Sequence, residues 1–174
     1  MTRLVAFLRG VNLGRRTVRS ADLQAAFETI GFAGARTLLA SGNVLFEADD
    51  EPGLAARIEA GLEARFGFPV GTVLRRRDAL RAMVAAAPFA AIPADTDAKL
   101  YVAMLAEPLA RRLVLPFGVP GDFDVLSVSD ADIFAVAWKT PDGRYGPGLA
   151  AVEKPFGKAL ITTRNWNTIL KASA

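Results

Sequence analysis

The residues with the clearest capacity for chemistry form a glycine–arginine block near the amino end. The block comprises Arg9, Gly10, Asn12, Gly14 and Arg16. Glycines let successive backbone amides point at one place, and arginine grips a phosphate group with paired donors. The spacing matches neither the dinucleotide-binding fingerprint nor the P-loop, so no particular nucleotide is indicated. The pattern favours an anion-binding loop, with a solvated glycine turn as the alternative.

A second polar block lies between two apolar runs, where Ser41 and Asn43 flank Gly42. The residue types are those of a tight turn, which needs no function of its own. The two polar side chains would be exposed there, and they are the second candidate contact to a ligand.

The third block lies near the carboxyl end and comprises Arg164, Asn165, Trp166 and Asn167. Asparagine is a poor helix former, so its repetition at the start of a predicted helix suggests a demand other than local stability. One interpretation is binding, with the arginine and the amides meeting a base or sugar while the tryptophan stacks on a base. The other is tertiary, with the amides satisfying buried backbone groups. Both interpretations stay open at this point.

The composition excludes several chemistries. The 174 residues contain neither cysteine nor histidine. Disulfides, thiolate zinc sites, cysteine nucleophiles and every histidine general base are therefore impossible. The pairs Asp122/Asp124 and Asp130/Asp132 have a spacing that could hold magnesium, but aspartates are routine at turns and no further ligands can be placed. The sequence predicts no metal site and no cofactor.

The elements that position the first two blocks follow from hydrophobic periodicity. Residues 4–8 read as a buried strand, and Ser20 is a suitable N-cap for a helix that ends at Gly31. The remaining predictions for this half are a strand at 35–40, a turn at 41–43, a strand at 44–46, a helix capped by Asp50 and ending at Gly67, and a strand at 70–75. The order β-α-β-β-α-β is that of the ferredoxin-like plait. Arg75, Arg76 and Arg77, at the exit of the last strand, are expected to be solvated and to add to a basic face.

The second half repeats this order less clearly. Its predicted elements are a strand at 99–105, a helix at 107–114, a hairpin of 123–128 with 133–138, a helix at 149–156, a strand at 159–162 and a final helix capped by Thr163. We therefore predict an α+β protein of two ferredoxin-like (βαββαβ, α/β plait) subdomains with antiparallel sheets. The predicted boundaries are 1–88 with a connecting helix, a linker at 89–97, and 98–174 with the C-terminal helix.

Charge and hydropathy limit the partners. The formal net charge is +3, and the first twenty residues contain five arginines and no acid, which favours a weak preference for anions. No stretch reaches the roughly 20 apolar residues that a membrane helix needs, so a membrane partner is not expected and a cytoplasmic location is.

Taken together, these blocks resemble the bacterial family called domain of unknown function 1697. The resemblance rests on blocks spread over nearly the whole chain: 7–14, 21–23, 31–32, 36–37, 41–46, 66–68, 88–89 and 162–171. It differs from the family pattern at Arg15, where a second glycine is usual. The resemblance implies two ferredoxin-like subdomains and brings no established activity, cofactor or catalytic residue.

Three functions stay open. The first is the binding of a phosphate-bearing ligand, either RNA or DNA or a phosphorylated small molecule, through the basic loop. The second is an enzyme acting on a small anionic metabolite, with Arg9, Arg16 and Arg164 holding the anion and Lys171 or an aspartate transferring protons. The third is a structural or protein-interaction domain. The sequence determines neither the oligomeric state nor whether the blocks converge in space.

Overall fold

The computed structural model describes residues 1–39 and 42–174. The chain divides into two compact units. The first comprises Met1–Ala82 together with Lys171–Ala174, and the second comprises Met83–Leu170. The subdomain boundaries expected from the sequence, at 1–88 and 98–174, stay a prediction.

The first unit is built on a four-stranded antiparallel sheet in the order β2-β3-β1-β4. Its elements are β1 (Thr2–Arg9), α1 (Ser20–Ile30), β2 (Arg36–Thr37), β3 (Asn43–Ala48), α2 (Leu54–Phe66) and β4 (Gly71–Arg76), after which α3 (Arg77–Ala85) leads toward the second unit. Two β-α-β connections and this strand order make the unit ferredoxin-like.

Alternation along β1 explains how this sheet is buried. Leu4, Ala6 and Leu8 point toward α1 and α2 and join their core, whereas Val5 and Phe7 are buried on the opposite face. The first helix contributes Phe27 to the core and ends at Gly31, whose φ of +114° suits glycine. A strand buried on both faces reads as the continuous apolar run that the sequence shows.

Three predicted boundaries in this unit are wrong. Ser20, the predicted N-cap, is already the first residue of α1, and Arg19 occupies the cap position. Of the strand expected at 35–40, the described residues 35–39 form a strand only over Arg36–Thr37; Ala40 of this strand and Ser41 of the expected turn lie outside the described residues. The second helix begins at Leu54 rather than after Asp50, because Gly53 adopts a φ of +87° that no α-helical residue can have.

The second unit contains a five-stranded antiparallel sheet in the order β6-β7-β8-β5-β9. Its elements are β5 (Ala98–Leu105), β6 (Gly118–Val119), β7 (Phe123–Val128), β8 (Asp132–Trp138), a 3-10 helix (Leu149–Phe156), β9 (Ile161–Asn165) and the start of α4 (Trp166–Ser173), whose residues from Lys171 onward belong to the first unit. The order β7-β8-β5-β9 repeats that of the first sheet. The predicted fold of two ferredoxin-like subdomains with antiparallel sheets is therefore confirmed.

The helix predicted at 107–114 is wrong, because this segment is irregular. Pro108 has no N–H, and the amide of Leu109 donates to the carbonyl of Asp130 rather than to its own segment. Leu109 and Leu113 still pack on the core of the second unit. Long-range pairing has thus replaced local helical bonds while the apolar pattern is used for packing.

The helices are short. The longest in the described part of the chain is α2, with 13 residues, against the roughly 20 that cross a bilayer. None of the helices in residues 1–39 and 42–174 has the length and apolar character that such a crossing requires.

Candidate functional site

The glycine–arginine block runs from Arg9, the last residue of β1, which lies opposite Gly71 of β4, through the loop between β1 and α1. This loop is held in one shape by its own residues. The Oδ1 atom of Asn12 accepts a hydrogen bond of 2.9 Å from the amide of Val18. Val11 and Val18 are both buried and anchor the two ends of the loop. Gly10 has a φ of +88°, a backbone conformation in which a residue with a side chain would be strained. The loop is therefore preformed, and the side chain of Asn12 has a structural task within it.

The same loop carries exposed positive charge. Arg15 makes no hydrogen bond or ion pair with any residue in the described parts of the chain. The guanidinium of Arg16 lies 4.6 Å from the ring centroid of Phe68, and that ring stacks on Phe66 at 6.1 Å. Arg19, by contrast, pairs with Asp22 at 3.3 Å. Arg15 and Arg16 are two exposed charges that this loop offers to a ligand.

In the turn block, the side chain of Asn43 is buried, whereas the sequence predicted that it would be exposed. Asn43 is only 4% exposed, and its Nδ2 atom donates to the carbonyl of Leu38 at 3.2 Å. The amide of Leu8 donates to the carbonyl of Gly42 at 2.7 Å, which ties the turn to β1. The geometry gives Asn43 a structural partner, while Ser41 lies outside the described residues.

In the carboxyl-terminal block, the structure explains one of the two asparagines, Asn165. Asn165 ends β9, and its Oδ1 atom accepts a hydrogen bond of 2.7 Å from the amide of Asn167. Asn165 therefore caps α4, an ordinary role for asparagine. The predicted cap, Thr163, is wrong, because this residue lies inside β9, paired opposite Ala103 of β5.

The other two residues of this block pack locally. Arg164 donates through Nη1 to Oγ1 of Thr162 at 2.7 Å and to the carbonyl of Thr163 at 3.1 Å. The half-buried Trp166 meets Phe89 and Phe134 edge to face, with ring centroids 5.0 and 6.5 Å apart. This cluster is an aromatic core contact. Asn167 is exposed, and among the described residues its side chain has no partner.

The predicted site residues fall into both units. The loop and Asn43 belong to the first unit, whereas residues 164–167 belong to the second. The convergence of the blocks on a common cleft stays a prediction.

The first pair of aspartates, Asp122 and Asp124, has structural partners. Both carboxylate oxygens of Asp122 accept the amide hydrogen of Gly148, at 3.0 and 3.1 Å. Oδ2 of Asp124 accepts the indole N–H of Trp138 at 2.8 Å. Within residues 1–39 and 42–174, no group of three cysteine, histidine, aspartate or glutamate residues is placed to hold a metal ion.

An exposed polar cluster in the second unit was not anticipated from the sequence. The hydroxyl of Tyr145 donates to Asp97 at 2.5 Å, and Lys139 pairs with the same carboxylate at 3.1 Å. The Tyr145 hydrogen bond, and then Lys139, hold the pKa of Asp97 below its ordinary value. Lys99 lies 4.6 Å from the centroid of the tyrosine ring. These groups tie the start of β5 to the segment after β8.

A cavity of about 390 Å³ in the first unit was also missed. Three arginines line it (Arg3, Arg36 and Arg77), together with Glu47 and the backbone around Gly34. Arg3 lies opposite Glu47 in the β1–β3 ladder, and their side chains pair at 3.1 Å. The only signal in the sequence was the arginine run at 75–77, which was expected to be solvated.

The fold and these sites define the class: a mixed α/β chain with two ferredoxin-like units and basic surface features on the first. Within that class, the chain belongs to the family described as "Protein of unknown function (DUF1697)", whose model matches residues 1–134. The family resemblance found in the sequence is confirmed. The match covers the first two blocks and ends before the third.

Structural comparison agrees. The chain is similar to the conserved bacterial protein SP0830 from Streptococcus pneumoniae, with a TM-score of 0.71 and 21% sequence identity. The similarity covers 99% of this chain and 97% of that one. At this identity the likeness concerns the fold alone. A comparison with curated proteins finds no match.

Proposed function

We propose that this protein binds a phosphate-bearing ligand through the loop at residues 9–16, and that a single nucleic-acid strand is the ligand that the loop fits best. The observation that carries the proposal is the pair of exposed charges on a preformed loop. Arg15 is unpaired among the described residues, and Arg16 is held over Phe68. A preformed basic surface loses little conformational entropy when it meets a polyanion.

The shape of the surface favours a strand over a small metabolite. Small molecules bind in concave sites that bury most of their surface. The loop lines none of the three cavities with volumes of about 360–400 Å³. Single strands are instead bound on open basic surfaces, where bases stack on aromatic rings or on guanidinium planes. Arg16, Phe68 and Phe66 form such a stack.

The test is fluorescence anisotropy with a labelled, 5′-hydroxyl RNA of about ten uridines, a length within the site sizes of single-strand binders. Two phosphate contacts give a salt slope of about −1.4, so raising salt from about 50 to about 200 mM should weaken binding about sevenfold. The double variant Arg15→Gln/Arg16→Gln should lose most of the binding and its salt dependence. Arg111→Gln/Arg112→Gln, which alters two consecutive exposed arginines elsewhere, is the matched control.

The exposed side chain of Asn167 is examined separately with Asn167→Ala, because it is the residue of the third block that is free to meet a base. No anisotropy change at micromolar protein would refute the proposal. So would binding that ignores salt, or an equal loss in the control.

A further inference from the structure

The cavity in the first unit combines an excess of positive charge with an unsatisfied donor. Its lining contains three guanidinium groups and one carboxylate, which leaves two positive charges. Glu47 is already engaged by Arg3. Arg36 has no hydrogen bond or ion pair through its side chain in the described part of the chain. The charge of this cavity is therefore not neutralised from within.

Arg77 also lacks a hydrogen-bond partner for one of its atoms. Its Nε atom is buried, and no acceptor for it exists among residues 1–39 and 42–174. A buried donor without an acceptor destabilises the folded state, so native proteins rarely keep one without a reason.

The residues around Arg77 add positive charge rather than an acceptor for its Nε atom. Burial lowers the pKa of Arg77, and the positive charges of Arg81, Arg3 and Arg36 lower it further. The nearest acid on its own helix, Asp78, pairs with Arg81 at 3.7 Å. Arg77 is thus a cation surrounded by other cations, and its Nε atom has no acceptor among the described residues. A bound anion would stabilise this arrangement.

The strand register explains why these arginines meet. Arg3 on β1 lies opposite Glu47 on β3, and Arg36 on β2 lies opposite Leu45, two residues along β3. Because side chains on a strand alternate between faces, this places Arg3, Glu47 and Arg36 on one face of the sheet. Arg77 follows β4, the strand on the other side of β1. Three distant segments thus converge at one end of the sheet.

We propose that this cavity binds the phosphate group of a small phosphate monoester. Guanidinium groups grip phosphate oxygens with paired hydrogen bonds. A monoester carries about two negative charges at neutral pH, which matches the excess charge of the cavity better than a monoanion does. The volume of about 390 Å³ is in the range of small-molecule sites. This site is separate from the loop proposed for a nucleic-acid strand.

The test is isothermal titration calorimetry with phenyl phosphate, which is a monoester, and diphenyl phosphate, which is a monoanionic diester. The wild type should bind phenyl phosphate with a Kd of about 1 mM or lower and at least about tenfold more tightly than the diester. Arg36→Gln and Arg77→Gln should each weaken binding about tenfold or more. Arg112→Gln, at an exposed arginine of the second unit, should leave it unchanged.

Arg36 is exposed, so Arg36→Gln is expected to fold and decides the case even if Arg77→Gln does not. Phenyl phosphate that fails to bind at millimolar concentration overturns the proposal, as does binding that Arg36→Gln leaves intact. Inorganic phosphate that binds more tightly than phenyl phosphate overturns the assignment to a monoester. Arg15→Gln/Arg16→Gln should leave phenyl phosphate binding unchanged, so the failure of one proposal is distinguishable from that of the other.

Discussion

Asn165 is the residue at which a structural role and a binding role can be separated most cleanly. Its side chain accepts the amide hydrogen of Asn167 at 2.7 Å, so Asn165→Ala removes the cap of α4. Replacing an asparagine cap by alanine costs about 1 kcal/mol. The residue is exposed, so no cavity forms, and its pairing with Tyr101 through the backbone persists. For a chain of this length the loss should lower Tm by about 2–4 °C.

The assay is urea and thermal unfolding followed by far-ultraviolet circular dichroism. Asn165→Asp keeps the acceptor and adds a negative charge at a helix N-terminus, so it should be at least as stable as the wild type. Asn167→Ala is the matched control, because that side chain is exposed, and its effect should stay within about 0.5 kcal/mol. If Asn167→Ala costs as much as Asn165→Ala, or if aspartate fails to restore stability, the capping explanation is wrong.

Three further predictions concern packing and charge. A Cβ atom on Gly61 would lie 2.4 Å from Cγ1 of Ile30, so the strain of Gly61→Ala should outweigh a helix-propensity gain of about 1 kcal/mol and lower stability. In an Ile30→Ala background the same change should stabilise the protein, and a double-mutant cycle in urea checks this reversal. Thr72 is 1% exposed, and its hydroxyl has no partner in the described residues. Thr72→Val should therefore raise the free energy of unfolding by about 1 kcal/mol or more. An unchanged urea midpoint would contradict this. Because the pKa of Asp97 is lowered in the folded protein, its contribution is complete above about pH 4 and is lost as pH falls through the folded value. Tyr145→Phe should therefore reduce stability at about pH 6, and this loss should shrink as pH is lowered below about 4; a loss that does not change with pH would argue against the hydrogen bond.

The sequence predicted those elements whose local signals agree with their final surroundings. Residues 4–8 are continuously apolar, and β1 is buried on both faces. The hairpin of β7 and β8 was expected from two apolar runs around an aspartate-rich turn, and it is confirmed. These predictions depend only on the period of the apolar residues and on turn chemistry.

The predictions that failed concern boundaries and one whole helix. The segment at 107–114 has an apolar pattern that a helix would satisfy, but the amide of Leu109 bonds to Asp130. Thr163 was as plausible a cap as Asn165 from residue type alone. Only the pairing of β9 with β5 shows which residue ends the strand. In both cases a partner remote in sequence decides, and local propensity cannot identify it.

For the candidate sites too, the sequence indicated what depends on local order in the chain and not what depends on tertiary contacts. The glycines and arginines at 9–16 could be identified from their order in the chain, because all of them lie on one continuous segment. That Asn12 closes the loop and that Arg16 is held by Phe68 are tertiary facts. Residues 75–77 were expected to form a solvated strand exit, so the sequence did not indicate that the Nε atom of Arg77 is buried.

By itself, the sequence determined the β-α-β-β-α-β order of elements along the chain, the family and the chemistry that the absence of cysteine and histidine excludes. The element order and the excluded chemistry follow from composition and from periodicities of two and about 3.6 residues, which are properties of neighbouring positions, whereas the family was indicated by the resemblance of the sequence blocks. Only the tertiary structure decided that Arg3, Arg36 and Arg77 line one cavity. The reason is that cross-strand register joins residues more than thirty positions apart, and no pattern along the chain records which strands become neighbours.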